Sequence, residues 1–389
     1  MLTEHFHNTQ KDTGHYSNDL RYVLSLQNTI AAFEEIKTWE GYAKTPLHSL
    51  DSMASDIGVK NIYYKDESSR FGLGSFKALG GTYGVLKFIH HALKKEIGDE
   101  VSMKDIHAGK YSEQISKYTV TTATDGNHGR SVAFGAKLFG CKCQIYIHSE
   151  VSSGRQKAME DLEATVNRVS GNYDESLQIC IEDAGKNNWY VISDTSYEGY
   201  TKYPRYIMAG YNVMAEEIID QIKDRPLPTH VFLQGGVGSF PGAICGYFWE
   251  KFPGNNIKFV VVESEHAPCL IRSAQNNQMT SVNIKQETMM AGLSCGEPSL
   301  LGWEILRSGT DDFITINDSS IPGLMRLLAK NNLKIEAGES SVAGLAGLIE
   351  SMEDQKIAKA MGLNKESIVL LFGTEGATDP EIYRSIISE

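Results

Sequence analysis

Short apolar runs alternate with amphipathic stretches along most of the chain. The runs are rich in β-branched and aromatic residues, which is typical of buried strands, and the stretches between them have helical periodicity. Predicted strands cover residues 62–65, 118–123, 143–148, 165–169, 189–193, 231–234, 259–263 and 368–372. Predicted helices cover about residues 75–96 and 128–139. Two more begin near residues 153 and 174, and another follows the loop at 235–241 and ends at residue 251.

This alternation predicts an α/β fold with two open, twisted, mainly parallel sheets covered by helices. In such sheets, ligands bind beyond the carboxyl ends of the strands, where loops lead into helix N-termini. Four loops in these places have an unusual composition, and they begin near Gly72, Thr124, Gly235 and Gly373. Because the loops are spread over the whole chain, we expect them to form one cleft between two domains.

The loop Gly235-Gly236-Val237-Gly238-Ser239 has little side chain to cover its backbone N–H groups. It precedes a predicted helix with an early Pro241, so it has the composition of an anion site that needs no cationic side chain. A dinucleotide site matches less well, because Pro241 takes the place of its third glycine, although Glu263 follows the next strand as a ribose-binding acid would. A tight turn without a ligand is the other alternative.

Lys77 lies in the first turn of the helix predicted after the glycine-rich segment 72–74. The positive end of the helix dipole and partial burial favour the neutral amine, which is the form that attacks an aldehyde to make a Schiff base. A solvated lysine at a helix start is the alternative.

The turn at 122–129 and the loop at 373–379 are rich in hydrogen-bonding groups. In the turn, amides and hydroxyls can face a carboxylate and Asn127 can hold a phenolic oxygen, or Asp125 or Asn127 can simply cap the next helix. In the loop, Thr374 can donate or accept toward a ring nitrogen without carrying charge.

The composition narrows the class of protein. A length of 389 residues favours two domains, and the net charge of −12 disfavours nucleic-acid binding. The chain has no apolar run of transmembrane length, its polar N-terminus is unlike a signal peptide, and its cysteines lack the spacing of a metal site. We therefore expect a cytoplasmic protein that binds neither membrane nor metal and keeps its cysteines mostly reduced, with a Cys269–Cys295 bridge left open.

Taken together, the four loops resemble those of the fold type II (tryptophan synthase β-like) enzymes of pyridoxal 5′-phosphate (PLP). Three further segments, 65–77, 194–200 and 290–298, are similar in sequence to the diaminopropionate ammonia-lyases of that family. The glycine loop alone matches weakly, whereas the ordered set of motifs, from about residue 40 to the C-terminus, matches specifically.

The resemblance implies roles for individual residues toward PLP. Lys77 would carry the cofactor as a Schiff base, and Phe76 would flank its ring. Asn127 would contact the 3′-oxygen and Thr374 the pyridine nitrogen. The phosphate would be held by Gly235, Gly236, Val237, Gly238 and Ser239.

The resemblance also implies an α,β-elimination that converts D- and L-2,3-diaminopropionate to pyruvate and two ammonia. Asp125 would remove the Cα proton of the D-isomer and Lys77 that of the L-isomer, with Asp194 as a third catalytic residue. The substrate would be contacted by Ser75, Thr124, Asp125 and Asp194. Serine, threonine or 3-hydroxyaspartate dehydration on the same fold is the alternative, although those enzymes usually have Ser in place of Asp125. A nucleotide- or metabolite-binding α/β protein without catalysis is the alternative from another class.

Since the cofactor groups must converge, the second domain is expected to be an insertion. We predict a large PLP-binding domain at 1–87 and 208–389, and a small α/β domain at 88–207. The resemblance implies a homodimer, and the polar first forty residues are either an arm on a partner subunit or a frayed end.

Overall fold

The structure is a computed structural model of the chain, and it describes residues 2–12, 14–124, 126–171 and 173–388. Within these residues the strands are β1 Leu2–His7, β2 Leu47–Ser49, β3 Asn61–Asp66, β4 Thr119–Ala123, β5 Lys142–Ile147, β6 Thr165–Arg168, β7 Tyr190–Val191, β8 His230–Gln234, β9 Lys258–Ser264, β10 Asp312–Ile316 and β11 Ile368–Gly373.

The helices of the same part of the chain are α1 Asn18–Val23, α2 Leu26–Ile36, α3 Asp51–Ile57, α4 Lys77–Ile97, α5 Met103–His107, α6 Ser112–Ile115, α7 Asn127–Phe139, α8 Ser153–Glu160, α9 Tyr173–Asn187, α10 Lys202–Tyr211, α11 Val213–Gln221, α12 Ser239–Lys251, α13 Cys269–Asn276, α14 Leu300–Gly309, α15 Ile321–Lys330, α16 Ala343–Glu353, α17 Gln355–Met361 and α18 Pro380–Ser388. Short 3₁₀ turns lie at Arg70–Gly72, Ala291–Leu293, Asp318–Ser320 and Glu339–Val342.

The chain divides into two compact units. The large unit consists of residues 1–76, 195–198 and 211–389, and the small unit of residues 77–194 and 199–210. The first and last changes between the units, at 76/77 and 210/211, lie eleven and three residues from the domain boundaries expected at 87/88 and 207/208. The expected domain boundaries stay a prediction.

The large unit is built on a twisted sheet with the strand order β1-β10-β9-β8-β11-β3-β2. Its inner strands are parallel, and β1 and β2 pair antiparallel at the two edges. Strands β8, β10 and β11 are buried over their whole length, as expected for a parallel sheet covered on both faces. Helix α16 packs closely on this sheet, because a Cβ at Gly347 would lie 2.9 Å from Ile314 and from Val262.

The small unit has a parallel sheet with the order β6-β5-β4-β7. Helices α4 and α7 pack tightly against each other in this unit. A Cβ at Gly81 would lie 1.8 Å from Ser131 Oγ, and one at Gly135 would lie 3.0 Å from Thr82 Cα. The two glycines therefore allow the helix carrying Lys77 to approach the helix that follows the turn at 122–129.

The N-terminal segment is neither frayed nor an arm, because β1 joins the large sheet. Thr3 and Thr315 share a hydroxyl hydrogen bond of 2.8 Å, and His5 Nε2 lies 2.8 Å from Asp312 Oδ1. An edge strand can be held by such polar pairs, so it has little apolar pattern by which to recognise it. Strand β2, at the other edge, has only three residues. Strand β10, Asp-Phe-Ile-Thr-Ile, has a clear apolar pattern but was not among the predicted strands.

The predicted strands are otherwise all present, and the predicted α/β class with mainly parallel sheets is confirmed. In the described part of the chain, no helix is long and apolar enough to cross a membrane.

Candidate active site

Lys77 is the first residue of α4, and its Nζ donates a hydrogen bond to the carboxylate of Asp194. Both side chains are only partly accessible, at 23% for Lys77 and 18% for Asp194. The sequence favoured a neutral amine at Lys77 because of the helix dipole. The carboxylate acts in the opposite direction, because an ion pair stabilises the ammonium form.

Asp194 follows β7 and also lies near His128. The Nδ1 of His128 is 3.7 Å from Asp194 Oδ2, and its Nε2 is 2.8 Å from the carbonyl oxygen of Ile192. Since a carbonyl oxygen only accepts, Nε2 must donate, and His128 thereby ties the start of α7 to the backbone two residues before Asp194.

His128 and Asp194 differ in charge at neutral pH. Burial lowers the pKa of His128, and the attraction of Asp194 does not restore it, so the ring is neutral at pH 7. Burial alone would raise the pKa of Asp194, but His128 and Lys77 together hold it well below its usual range.

The segment after Asp194 is held by side-chain hydrogen bonds. Tyr200 Oη accepts from the backbone N–H of Ser193 at 3.0 Å and donates to the carbonyl oxygen of Val191 at 2.9 Å. Within the large unit, Ser196 Oγ lies 2.7 Å from Ser299 Oγ. These bonds account for part of the motif at 194–200 that the sequence comparison singled out.

The hydroxyl of Thr124 accepts hydrogen bonds from the turn before α7. Thr124 Oγ1 accepts from the N–H groups of Gly126 at 3.0 Å and Gly129 at 3.1 Å. Thr124 can still donate its hydroxyl proton, since both of these bonds use its oxygen as acceptor. Asn127 begins α7 and is half-buried. Asp125 lies outside the described residues.

In the large unit, the loop between β8 and α12 presents backbone donors. Within the described residues, no carbonyl oxygen accepts the N–H groups of Gly236, Val237 or Gly238. Gly238, with φ of +98°, turns the chain directly into α12, whose first residue Ser239 is buried. Buried amides at a helix N-terminus form a site for an anion such as phosphate.

The segment 290–298 packs onto this loop. A Cβ at Gly236 would lie 3.0 Å from the carbonyl oxygen of Gly292 and 3.2 Å from Cys295 Sγ, so these neighbours would have to move to admit a side chain. Val237 is fixed by its carbonyl oxygen, which accepts from Ser299 N–H at 2.6 Å. All six cysteines fall within the described residues, and no disulfide joins Cys269 to Cys295.

Thr374 lies after β11 in the same unit and is buried. Its Oγ1 accepts from the side-chain amide of Gln234 at 3.1 Å. Its carbonyl oxygen accepts from Phe76 N–H at 3.0 Å, and Ser75 pairs antiparallel with Glu375 beside it. The structure therefore brings the segment that leads into Lys77 together with the C-terminal loop.

Phe76 is buried in a group of aromatic rings. Its ring centroid lies 4.7 Å from that of Tyr211 and 4.9 Å from that of Phe240. Phe240 continues the group to Phe372 at 5.3 Å. The predicted position of Phe76 as an apolar wall fits this packing.

A family model described as pyridoxal-phosphate dependent enzyme matches residues 38–373. The chain belongs to this enzyme family. It is 38% identical over 357 residues to the diaminopropionate ammonia-lyase of Escherichia coli K12, which covers 90% of this chain and 88% of that protein. It is 37% identical to the diaminopropionate ammonia-lyase of Salmonella typhimurium, over 94% of each chain.

A solved structure of this fold agrees with the sequence comparison. Diaminopropionate ammonia lyase from Escherichia coli, in complex with an aminoacrylate-PLP azomethine reaction intermediate, superposes with a TM-score of 0.88 and 34% identity. The superposition covers 100% of this chain and 97% of that one. The resemblance stated from the sequence is therefore confirmed, as are fold type II and PLP as the cofactor.

The residues of this chain fit PLP by their chemistry. The unpaired amides at 236–238 and the N-terminus of α12 suit its phosphate, Lys77 provides a primary amine for its aldehyde, and Thr374 provides an uncharged hydroxyl.

Glu263 has a structural role and is not a ribose ligand. Its two carboxyl oxygens accept from the N–H groups of Leu270 and Ile271 at 2.7 Å each, at the start of α13. Burial raises the pKa of Glu263 to about 8, although these two hydrogen bonds oppose the shift. Because both carboxyl oxygens of Glu263 accept these hydrogen bonds, Glu263 is not available to bind a ribose. The dinucleotide-binding alternative depended on that role.

A buried ionic network precedes the loop to Lys77. Lys65 Nζ is 2.6 Å from Glu217 Oε2, and Arg70 lies 2.8 Å from both Glu67 and Glu217. Thr45 Oγ1 also donates to Glu67 at 2.5 Å. Three members of the motif at 65–77 are thus structural, and they fix the segment that ends at Phe76.

Sequence reasoning missed two residues of the site. His128 belonged to a recognised turn, but only the fold brings it beside Asp194. Gln234 ends a predicted strand, where a polar residue directly before the glycine loop was the available indication.

Proposed function

We propose that this protein is a PLP-dependent carbon–nitrogen lyase that converts D- and L-2,3-diaminopropionate to pyruvate and two ammonia. The observation that carries the proposal is the pairing of Lys77 with Asp194 in a chain that is 38% identical to a diaminopropionate ammonia-lyase. Diaminopropionate plus one water equals pyruvate plus two ammonia, so the reaction is balanced without a redox partner.

PLP, when bound, supplies an electron sink that makes the Cα proton of an amino acid acidic. The phosphate would be held by the amides of Gly236, Val237, Gly238 and Ser239. Gly235, also predicted as a phosphate ligand, would only shape the loop, because its N–H already donates to the carbonyl oxygen of Val262 at 2.8 Å. Thr374 would contact the pyridine nitrogen, Asn127 the 3′-oxygen, and Phe76 would limit the space beside the ring. The burial of Phe76 and Thr374 would keep water away from the ring.

Lys77 is proposed to bind PLP and to take the Cα proton of L-diaminopropionate at its Nζ. Asp125 is proposed to take the Cα proton of the D-isomer, because a base on the opposite side is needed for the opposite configuration. Two bases give an enzyme without strict stereospecificity.

Asp194 is proposed to select the substrate. Its low pKa, in which burial is outweighed by His128 and Lys77, keeps the group a carboxylate at neutral pH. A carboxylate attracts the β-ammonium group of diaminopropionate, which is already protonated and leaves as ammonia, whereas a β-hydroxyl offers no such charge. Ser75 and the hydroxyl proton of Thr124 are proposed to hold the α-carboxylate.

We also propose that the protein works in the cytoplasm as a homodimer. No disulfide joins any of the six cysteines, every one of which is described, and this agrees with a reducing compartment. The dimer follows from the resemblance, and light scattering should give twice the mass of one chain.

The experiment that tests the function compares substrates on one preparation. Pyruvate release should be fast from D- and L-diaminopropionate and slow from D-serine, L-serine and L-threonine. Lys77→Ala should lose the reaction, and Lys137→Ala, an exposed lysine of the same unit, should retain it. Faster turnover of serine or threonine than of diaminopropionate would instead identify a dehydratase.

A further inference from the structure

Gln234, the last residue of β8, lies between the glycine loop and Thr374 and is fully buried. Its Nε2 approaches three oxygen atoms: the carbonyl oxygens of Phe372 at 2.8 Å and Ser340 at 3.1 Å, and Thr374 Oγ1 at 3.1 Å. Its Oε1 is buried and has no hydrogen-bond partner among the described residues.

The two carbonyl oxygens determine the orientation of this amide. Carbonyl oxygens only accept hydrogen bonds, so the group that faces Phe372 and Ser340 must be the NH₂. Rotating the amide by half a turn would direct Oε1 at both carbonyl oxygens. The unpaired Oε1 lowers stability, and the chain retains it because the alternative leaves three acceptors facing one another.

This orientation restricts the hydroxyl of Thr374. An amide nitrogen cannot accept a hydrogen bond, so the Thr374 proton cannot point toward Gln234. Thr374 Oγ1 must accept on that side, and no other described residue takes its proton. The hydroxyl is therefore arranged to donate to any ligand atom that contacts it.

We propose that Gln234 is a positioning residue that fixes Thr374 as the hydrogen-bond donor to the pyridine nitrogen of PLP. The proposal rests on the proposed placement of that nitrogen at Thr374. A donated hydrogen bond requires a lone pair on the nitrogen, so it favours the unprotonated ring and lowers the pKa of the ring nitrogen. A protonated ring would place two donors against each other.

The residues around Thr374 hold its backbone in place, so its hydroxyl keeps this donor arrangement. The backbone on both sides of the hydroxyl is fixed, since the Thr374 carbonyl oxygen accepts from Phe76 and Ser341 Oγ accepts from Glu375 N–H at 2.6 Å. Gln234 is joined directly to Gly235, so the same residue connects the phosphate loop with the loop at the ring nitrogen.

The test uses whole protein loaded with PLP that carries ¹⁵N in its ring, and it follows the ¹⁵N signal between about pH 6 and pH 9. The wild-type signal should be that of an unprotonated, hydrogen-bonded nitrogen throughout. Gln234→Met removes the donor that makes Thr374 Oγ1 accept on this side, so the Thr374 proton is no longer restricted to the ligand side. The signal of this variant should move toward the protonated value as the pH falls, whereas Gln221→Met, which removes another glutamine amide of the large unit, should match the wild type.

A protonated ring nitrogen in the wild type, or a Gln234→Met signal identical to the wild type at every pH, would overturn the proposal. If Gln234→Met does not fold, Thr374→Val provides the second test. Removing the donor should raise the pKa of the ring nitrogen, and an unchanged or lower pKa would contradict the proposal. A protein that binds no PLP would refute the proposed function, whereas active loaded protein with a protonated ring would refute this inference alone.

Discussion

The Nζ of Lys77 donates a hydrogen bond to the carboxylate of Asp194, which links the proposed cofactor lysine to the residue proposed to recognise the second amine of the substrate. Asp194 is kept ionised, because His128 and Lys77 together outweigh the effect of burial on its pKa. An acid that remains charged at neutral pH distinguishes a diamine from a hydroxy amino acid.

Asp194→Asn should therefore lower kcat/KM for both isomers of diaminopropionate by about 100-fold, because a hydrogen bond to a charged group contributes about 1.5–3 kcal/mol. The residual activity on D-serine should fall less, because serine has no β-ammonium group. Asp183→Asn, which alters another partly buried aspartate of the small unit, is the control and should have little effect. Equal losses on both classes of substrate would show that Asp194 does not select the amine.

Asp125→Asn should abolish activity on D-diaminopropionate and retain most activity on the L-isomer, because only the D-isomer depends on a carboxylate base. Separate initial rates for the two isomers check this. A parallel loss on both isomers would exclude the division of labour between Asp125 and Lys77.

Glu217→Ala should destabilise the protein by about 3–5 kcal/mol, because it leaves Lys65 and Arg70 buried without their shared carboxylate. Glu216→Ala removes a partly exposed partner of Lys251 and should cost under about 1 kcal/mol. Urea unfolding of the PLP-loaded proteins measures both, and similar costs for the two variants would contradict the role of the network.

The same network predicts a loss of stability in acid. Burial would raise the pKa of Glu217, but Arg70 and Lys65 lower it to about 2. The pKa of an unfolded glutamate is about 4.3, so this contribution is complete above that pH and disappears as the pH falls toward 2. The acid sensitivity of Glu217→Ala should be correspondingly smaller in this range.

The contribution of Glu263 to stability should depend on pH in the opposite way. Its pKa, raised by burial to about 8, means that the folded protein keeps a proton that the unfolded chain releases above about pH 4.3. Stability from this group is complete below that pH and declines as the pH rises to about 8. Glu263→Gln should flatten the decline measured by urea unfolding between pH 5 and pH 8, and Glu265→Gln, at a partly exposed position, should not. An unchanged slope in Glu263→Gln would show that Glu263 is ionised when folded.

The sequence alone was sufficient to predict the features of the fold and site that depend on residue type. The glycines at 235–238 and the lysine after Phe76 are visible in one chain, and so are the buried strands that precede them. Burial and strand pairing then depend on the same apolar runs, which explains why the parallel sheets were predicted.

Features that depend on distant partners were not predictable in this way. Strand β1 is polar and is defined by its pairing with β10. The proximity of His128 to Asp194 and of Gln234 to Thr374 arises from packing, since these pairs are 66 and 140 residues apart. The hydrogen bonds from Gly126 and Gly129 to the Thr124 hydroxyl likewise depend on how the turn folds.

The most direct test of the account is the ratio of ammonia to pyruvate formed from each isomer of 2,3-diaminopropionate by the PLP-loaded protein. Elimination of the β-amine followed by hydrolysis predicts two ammonia per pyruvate from both isomers, with the reaction and the visible absorption of bound cofactor absent in Lys77→Ala. Loaded protein that forms no pyruvate from either isomer would contradict the account.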